Sequence, residues 1–240
     1  VNEKTKETQQ WQYKAGLRDY LTQTLNGDPV IPLFEGEGFA DANHDSFAGD
    51  RVWNQLSGNV AQYKMAAATY LLLPGTPFIY YGEHIGMGGV KGLSDDPKIR
   101  GPLSWTPDPK NAGFTTGQPY RALASNLATH HVLGQMQSPH SIGSFYRDML
   151  ALRNSRVSIA RGSYEFAQAQ GSLMAYQRRF GHEHSLVLIN YGEQAASLTI
   201  EGVAANAKLR PLYPAGRVQQ LRLGQITVPA QSVHVFALEK

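Results

Sequence analysis

The chain has 240 residues, of which 42% are hydrophobic, 10% aromatic and 17% charged, enough apolar surface for one large or two smaller cores and too much for a disordered tail. Its net charge of +3 is scattered, with Arg178-Arg179 the only adjacent basic pair, so neither nucleic acid nor a membrane surface is an expected partner. There is no Cys, which excludes disulfides and thiolate metal sites, and no apolar run approaches the ~20 residues of a membrane span.

The opening segment "VNEKTKETQQWQ" lacks the charged-then-apolar order of a signal peptide, and it starts on Val1 rather than Met. The expectation is a chain that begins inside a longer gene product. Residues 9–25 follow as a predicted helix, with Leu17, Tyr20, Leu21 and Leu25 at helical spacing and "NGDP" as the stop. The Pro and Gly of "VIPLFEGEG" predict a loop, with a short strand over 38–42. A second helix is expected over 59–73, Ala-rich, with Asn59 as N-cap and "PGTP" as its end. "TPFIYYG" (76–82) is nearly all apolar and of strand length, as suits a parallel strand buried on both faces. Helix and strand thus alternate in the rhythm of βα units.

Residues 83–137 are irregular, a length that predicts a functional connection or short helices of its own. "SIGSFYRDMLALRNS" (141–155) predicts an amphipathic helix burying Ile142, Phe145, Met149 and Leu152. From about residue 163 the texture changes to short β-type runs, "LMAYQRRF", "HSLVLINY", "AASLTI", "LRPLYP" and "QITVPAQSVHVFAL", separated by turn residues. That spacing predicts an antiparallel sandwich or Greek-key barrel. The expected division is residues 1–161 and 162–240.

Asn43-His44-Asp45 ends the 38–42 strand with three hydrogen-bonding residues. Asn43 and Asp45 suit an Asx-turn or cap, with His44 exposed. Equally, a His and a carboxylate at the C-terminal end of a barrel strand can hold a sugar ring by charged hydrogen bonds to adjacent hydroxyls. From the triplet by itself both readings stand.

Further segments extend the pattern. In order come "NHD", "PGTPFIYYGEHIGM" (74–87), "DDPKIRGPLSW" (95–105) and "SFYRDMLALRNSRVSIARGSYEF" (144–166). Together these resemble the α-amylase family, glycoside hydrolase family 13. They look like its seventh and eighth barrel strands, the loop after the eighth, and the last barrel helix leading into the C-terminal sandwich. The resemblance implies an α/β plus all-β fold: the C-terminal part of a (β/α)8 barrel, about its sixth to eighth helix, followed by an antiparallel Greek-key β-sandwich.

The same resemblance implies that Asp45 matches the family's transition-state-stabilising carboxylate and His44 the imidazole bonded to the same sugar. Asn43 would support the turn. Arg51 and Arg100 would line neighbouring subsites, Glu83 stands where members often carry Gly-Glu-Glu, and Tyr81 and Trp105 could stack on sugars. Two departures are visible: Glu83 is followed by His84, and "RGPLSW" replaces the commoner Arg-Thr-Pro-Met-x-Trp.

Retaining hydrolysis also needs a nucleophile and an acid/base carboxylate ~5–5.5 Å apart. Nothing before Asn43 resembles the strands that carry them in the family, and a barrel plus sandwich exceeds 240 residues. Asp45 with Glu83, or with the nearby Asp41, Glu35 and Glu37, offers little for a self-sufficient pair. The expectation is the C-terminal half of an enzyme acting on α-1,4-glucans by retaining hydrolysis, inactive as an isolated chain. An α-1,6-glucosidase, a glucosyltransferase and a non-catalytic carbohydrate-binding scaffold of the same fold are the alternatives. Its expected partners are an α-glucan or maltooligosaccharide and the N-terminal half of the same enzyme, and starch as substrate suggests an extracellular or periplasmic setting. Asp41, Asp45, Asp95 and Asp96 form no recognisable calcium loop; no metal or cofactor is expected here, and calcium belongs to the full-length enzyme if anywhere.

Overall fold

A computed structural model describes residues 38–39, 44–45 and 49–239. The predicted helix 9–25 and the end of the predicted strand 38–42 lie outside the described residues. The chain divides into two compact units, one with residues 44–45, 49–64 and 78–147, the other with 38–39, 65–77 and 148–239.

The first unit is built of short helices joined by ordered irregular chain. Helix α1 is Val52–Gln55, and helix α2, Val60–Leu72, starts here. Asn59 caps α2 as expected, its side-chain oxygen accepting from Gln62 N at 3.1 Å. A 3-10 turn at Glu83–Ile85, helix α3 at Asp95–Ile99 and helix α4 at Val132–Gln137 punctuate the long irregular stretch. Backbone groups in that stretch are met by side chains. Asn126 accepts from Gly88 N at 2.8 Å and donates to Gly86 O at 2.9 Å, over a small core of Ile85, Met87 and Ala124.

The second unit takes the C-terminal part of α2, a helix buried nearly all round through Met65, Ala67, Leu71 and Leu72. Strand β1, Gly38–Phe39, pairs in parallel with strand β2, Thr76–Pro77. The expected strand over 76–82 therefore needs correction. Only its first two residues pair, Tyr81-Gly82 form a turn, and Phe78 is 58% exposed rather than covered on both faces. Among the described residues no strand lies beside 78–80, and Tyr80 and Tyr81 turn their rings to a buried arginine instead.

Helix α5, Ile142–Ser155, buries Ile142, Phe145, Met149 and Leu152, the face its periodicity predicts. Helix α6, Val157–Arg161, follows. From Ser163 onward the chain is antiparallel sheet. Strands β3 (Ser163–Gln170), β4 (Leu173–Phe180), β5 (Glu183–Asn190), β7 (Lys208–Tyr213), β8 (Gln219–Gln220) and β10 (Ser232–Glu239) form one sheet in the order β3-β4-β5-β10-β7-β8. Strands β6 (Ala196–Thr199) and β9 (Gln225–Val228) form a second. Leu173, Leu186, Leu188, Leu198, Leu209, Ile226 and Phe236 make the core of these strands. Both strands absent from the sequence reading, β3 and β8, are poor in β-branched residues, and neither contains a fully buried residue.

Two buried arginines close the C-terminal end of α2, where carbonyls lack helical partners and the helix dipole favours a cation. Arg153 donates to Leu71 O at 2.8 Å and Leu73 O at 3.0 Å, and also to Gly75 O. Arg178 donates to Leu72 O at 2.9 Å, Gly162 O at 2.8 Å and Ser163 O at 3.0 Å.

Candidate active site

All the described residues expected at the sugar fall in the first unit. Arg51 is at its centre and is 1% exposed. Its Nη2 donates to Ile99 O at 2.6 Å and its Nη1 to Tyr81 O. The guanidinium lies 4.4 Å from the ring centroid of Tyr80 and 4.5 Å from that of Tyr81, so two aromatic faces replace part of its hydration. Burial, aided by Tyr81, pushes the Tyr80 phenol well above its usual range despite the opposing pull of Arg51. Gly82 makes the close approach workable. It adopts φ +84°, and a Cβ there would sit 2.8 Å from Met87 sulfur and 3.3 Å from Arg51 Nη1.

Glu83 is likewise 1% exposed. Its carboxylate accepts from Tyr80 N at 3.0 Å, and its carbonyl accepts from the Tyr63 hydroxyl at 2.9 Å. Both Arg51 and Glu83 are thus buried in this chain, where they brace the 80–83 turn from within. Tyr81 stands apart from them. Its hydroxyl donates to Gly101 O at 2.6 Å, while the residue is 37% exposed. Trp105 is exposed, and Asn43 lies outside the described residues.

His44, Asp45 and Arg100 do come together at the surface. Asp45 Oδ1 accepts from Arg100 Nη2 at 2.8 Å, and His44 Nε2 is 3.5 Å from the same oxygen. Arg100 Nε donates to the His44 carbonyl at 2.6 Å. His44 is 68% exposed, and Asp45 and Arg100 are each 35% exposed, so a ligand can reach all three. Helix α3 presents Arg100 and is itself tied to the loop beyond Asp45. Lys98 Nζ lies 2.5 Å from Asp50 Oδ2, and Asp50 Oδ1 accepts from Arg51 N at 2.8 Å. Asp96 Oδ2 accepts from Arg100 Nη2 at 2.7 Å.

The sequence singled out neither Asp50 nor Lys98, and considered Asp96 only as a calcium ligand. The four-residue spacing from Asp96 to Arg100 was the one available signal, and on a helix it reads as an ordinary surface pair. Among the described residues no three His, Asp or Glu side chains converge as a metal ion would require, and none of the helices is long and apolar enough to cross a membrane.

A half-exposed carboxylate and imidazole, steadied by a guanidinium, can bond adjacent hydroxyls of a sugar. The comparison with known proteins agrees on the family. Residues 2–162 match the model of the alpha amylase catalytic domain. The chain belongs to the α-amylase family. Trehalose synthase/amylase TreS of Mycobacterium tuberculosis is 32% identical over 245 residues, covering 95% of this chain and 41% of that protein. Alpha-amylase 3 of Dictyoglomus thermophilum is 34% identical over 159 residues, covering 63% of this chain and 30% of its own. Among solved structures, the trehalulose synthase MutB from Pseudomonas mesoacidophila aligns with a TM-score of 0.74 at 21% identity, over 93% of this chain and 47% of that one.

The chain thus spans less than half the length of each of these relatives. Its fold class follows from the family: the closing part of a (β/α)8 barrel, then an antiparallel sandwich. The family is one of α-glucan-active enzymes.

Proposed function

We propose that this α-amylase-family chain supplies the transition-state-stabilising half of a retaining glycosidase acting on α-1,4-glucans or maltooligosaccharides. The nucleophile and acid/base would come from residues outside these 240. The observation that carries the reading is the cluster of Asp45, His44 and Arg100, reachable from solvent and held in one geometry. In such a reaction the sugar passes through an oxocarbenium-like transition state, and hydrogen bonds to its hydroxyls strengthen as positive charge grows. Asp45, as an anion fixed before the substrate arrives, accepts from those hydroxyls and opposes the developing charge without reorganising. His44 adds a bond to the same ring, and Arg100 keeps the carboxylate in place. Asn43 supports the turn, and the Tyr81 ring forms part of the wall. Arg51 and Glu83 act from behind.

The relatives favour one second reading. Proteins named trehalose synthase, glucan 1,6-alpha-glucosidase and oligo-1,6-glucosidase also match this chain, so the glucosyl unit could pass to a sugar or leave an α-1,6 bond. The same Asp45 would serve either route, since both pass through an oxocarbenium-like transition state.

The test is reducing-end release from maltoheptaose by the intact protein. Asp45→Asn should lower kcat roughly 10²- to 10³-fold, the scale of one lost preorganised electrostatic partner. An unchanged rate would leave the chain as a non-catalytic scaffold. Chromatography of products from maltose and isomaltose then separates hydrolysis from transfer and α-1,4 from α-1,6 cleavage.

A further inference from the structure

We infer that the Tyr81 hydroxyl is a positioning group for Arg100, and through it for His44 and Asp45; the inference rests on the role proposed for Asp45 above. Arg100 follows the last residue of α3, at the C-cap, where helix carbonyls have lost their intrahelical donors. A helix of five residues does not hold itself together in water, so the course of the chain at Arg100 has to be set from outside the helix.

The two carbonyls that flank Arg100 show how. Ile99 O accepts from Arg51 Nη2 at 2.6 Å and, at a longer 3.3 Å, from the Tyr80 hydroxyl. Gly101 O accepts from the Tyr81 hydroxyl at 2.6 Å. Arg100 therefore lies between two tied points, and its backbone cannot turn without loosening one of them. The second tie matters more because residue 101 is a glycine. A Cβ there would lie 2.6 Å from Val90 Cγ2, so the close packing calls for Gly, and Gly brings the conformational freedom that would let the chain swing just after Arg100. The Tyr81 bond removes that freedom.

Tyr81 is itself a fixed post. Its carbonyl accepts from Arg51 Nη1, the buried guanidinium lies 4.5 Å from its ring centroid, and its ring meets that of Tyr80 edge-on at 4.6 Å. From the segment so held, Arg100 Nε donates to the His44 carbonyl at 2.6 Å and Nη2 to Asp45 Oδ1 at 2.8 Å. A continuous set of bonds thus runs from the buried Arg51 to the exposed residues that meet the sugar, and the Tyr81 hydroxyl is one link in it. If that hydroxyl only satisfied a loop carbonyl, water would replace it and its loss would change activity very little.

Kinetics of the intact protein on maltoheptaose, with thermal unfolding in parallel, decide between these. Tyr81→Phe keeps the ring against Arg51 and removes only the hydroxyl. It should lower kcat roughly 10- to 100-fold, the scale of a misplaced catalytic group, with KM changed less than about threefold and the unfolding midpoint lowered by no more than about 4 °C. Tyr80→Phe removes a hydroxyl from the same cluster but leaves Ile99 O on Arg51, so it should lower kcat far less. In an Arg100→Ala background, Tyr81→Phe should add no further loss, since the link is already cut. A readout without substrate is the rate at which phenylglyoxal modifies Arg100, followed by peptide mass spectrometry, which should rise several-fold in Tyr81→Phe. Unchanged kcat in Tyr81→Phe, an equal loss in Tyr80→Phe, a loss that adds fully to that of Arg100→Ala, or an unchanged modification rate overturns the inference. Full activity in Asp45→Asn would instead bring down the underlying reading, and the modification rate would still test the tie between Tyr81 and Arg100.

Discussion

Arg178 gives the most direct test of how the second unit is held together. It is 1% exposed, yet its three hydrogen bonds go to the carbonyls of Leu72, Gly162 and Ser163 rather than to a carboxylate. Two effects compete. Burial opposes the charge and pushes its pKa down to about 10, against a smaller upward pull from Tyr176. Against it stand three charge-assisted hydrogen bonds, each contributing roughly 1.5–3 kcal/mol. The bonds win, and removing the side chain also strands three carbonyls at about 1 kcal/mol or more each.

Arg178→Met, which keeps the length and apolar stem, should therefore destabilise the protein by about 3 kcal/mol. In a chain of this size that lowers the thermal midpoint by roughly 6–12 °C. Differential scanning calorimetry measures it. Arg178→Lys should fall between the two, because one ammonium cannot reach carbonyls in three directions as a planar fork does. A methionine variant as stable as the parent, or more so, would refute the reasoning: desolvation would then exceed the bonds, as happens when some buried ion pairs are replaced by apolar residues.

Gly162→Ala should cost about 2 kcal/mol or more, because the new Cβ would lie 2.2 Å from the Ser158 carbonyl oxygen and 2.7 Å from that of Arg179; a calorimetric midpoint within a degree of the parent would count against the packing described here. Stability should also fall on mild acidification. Burial holds the pKa values of His84, His130, His184 and His234 below 6.5, with His131 adding to the effect at His130 and Arg179 at His184. The folded state resists protons that the unfolded chain takes up, so this contribution is fully present above pH 6.5 and is lost as pH drops through the lowered folded values. Thermal midpoints should decrease from pH 7.5 to pH 5, and His130→Gln should flatten part of that slope.

The sequence was most legible where one side chain pattern implies one environment. Helix α5 could be read because Ile142, Phe145, Met149 and Leu152 recur on a single face, and helix α2 because Asn59 and "PGTP" bracket an apolar run. The β4, β5 and β10 runs were legible through their β-branched and aromatic content between turns. The 76–82 segment was misleading because an apolar run reports only that its residues avoid water. It does not report what covers them, and here Tyr80 and Tyr81 pack on a cation instead of facing helices. At the candidate site, His44 and Asp45 stood out through a motif. Asp96 carried no motif, and its relation to Asp45 exists only once Arg100 has folded between them.

The arginines show why such a site resists sequence reading even when the family is clear. Arg51, Arg100, Arg153 and Arg178 are equivalent as letters, and any of them could be assigned to a substrate. Folded, they separate by acceptor. Arg51, Arg153 and Arg178 are buried and spend their donors on backbone carbonyls, so each fixes chain segments far apart in sequence. Arg100 is half-exposed and, besides one carbonyl, meets two carboxylates. A carbonyl already bonded in a buried turn has no second state to offer a ligand, whereas a carboxylate near solvent can exchange one partner for another. Of the four, Arg100 is the one that meets side chains near solvent, and Arg51, through the Ile99 carbonyl, braces the segment that carries it.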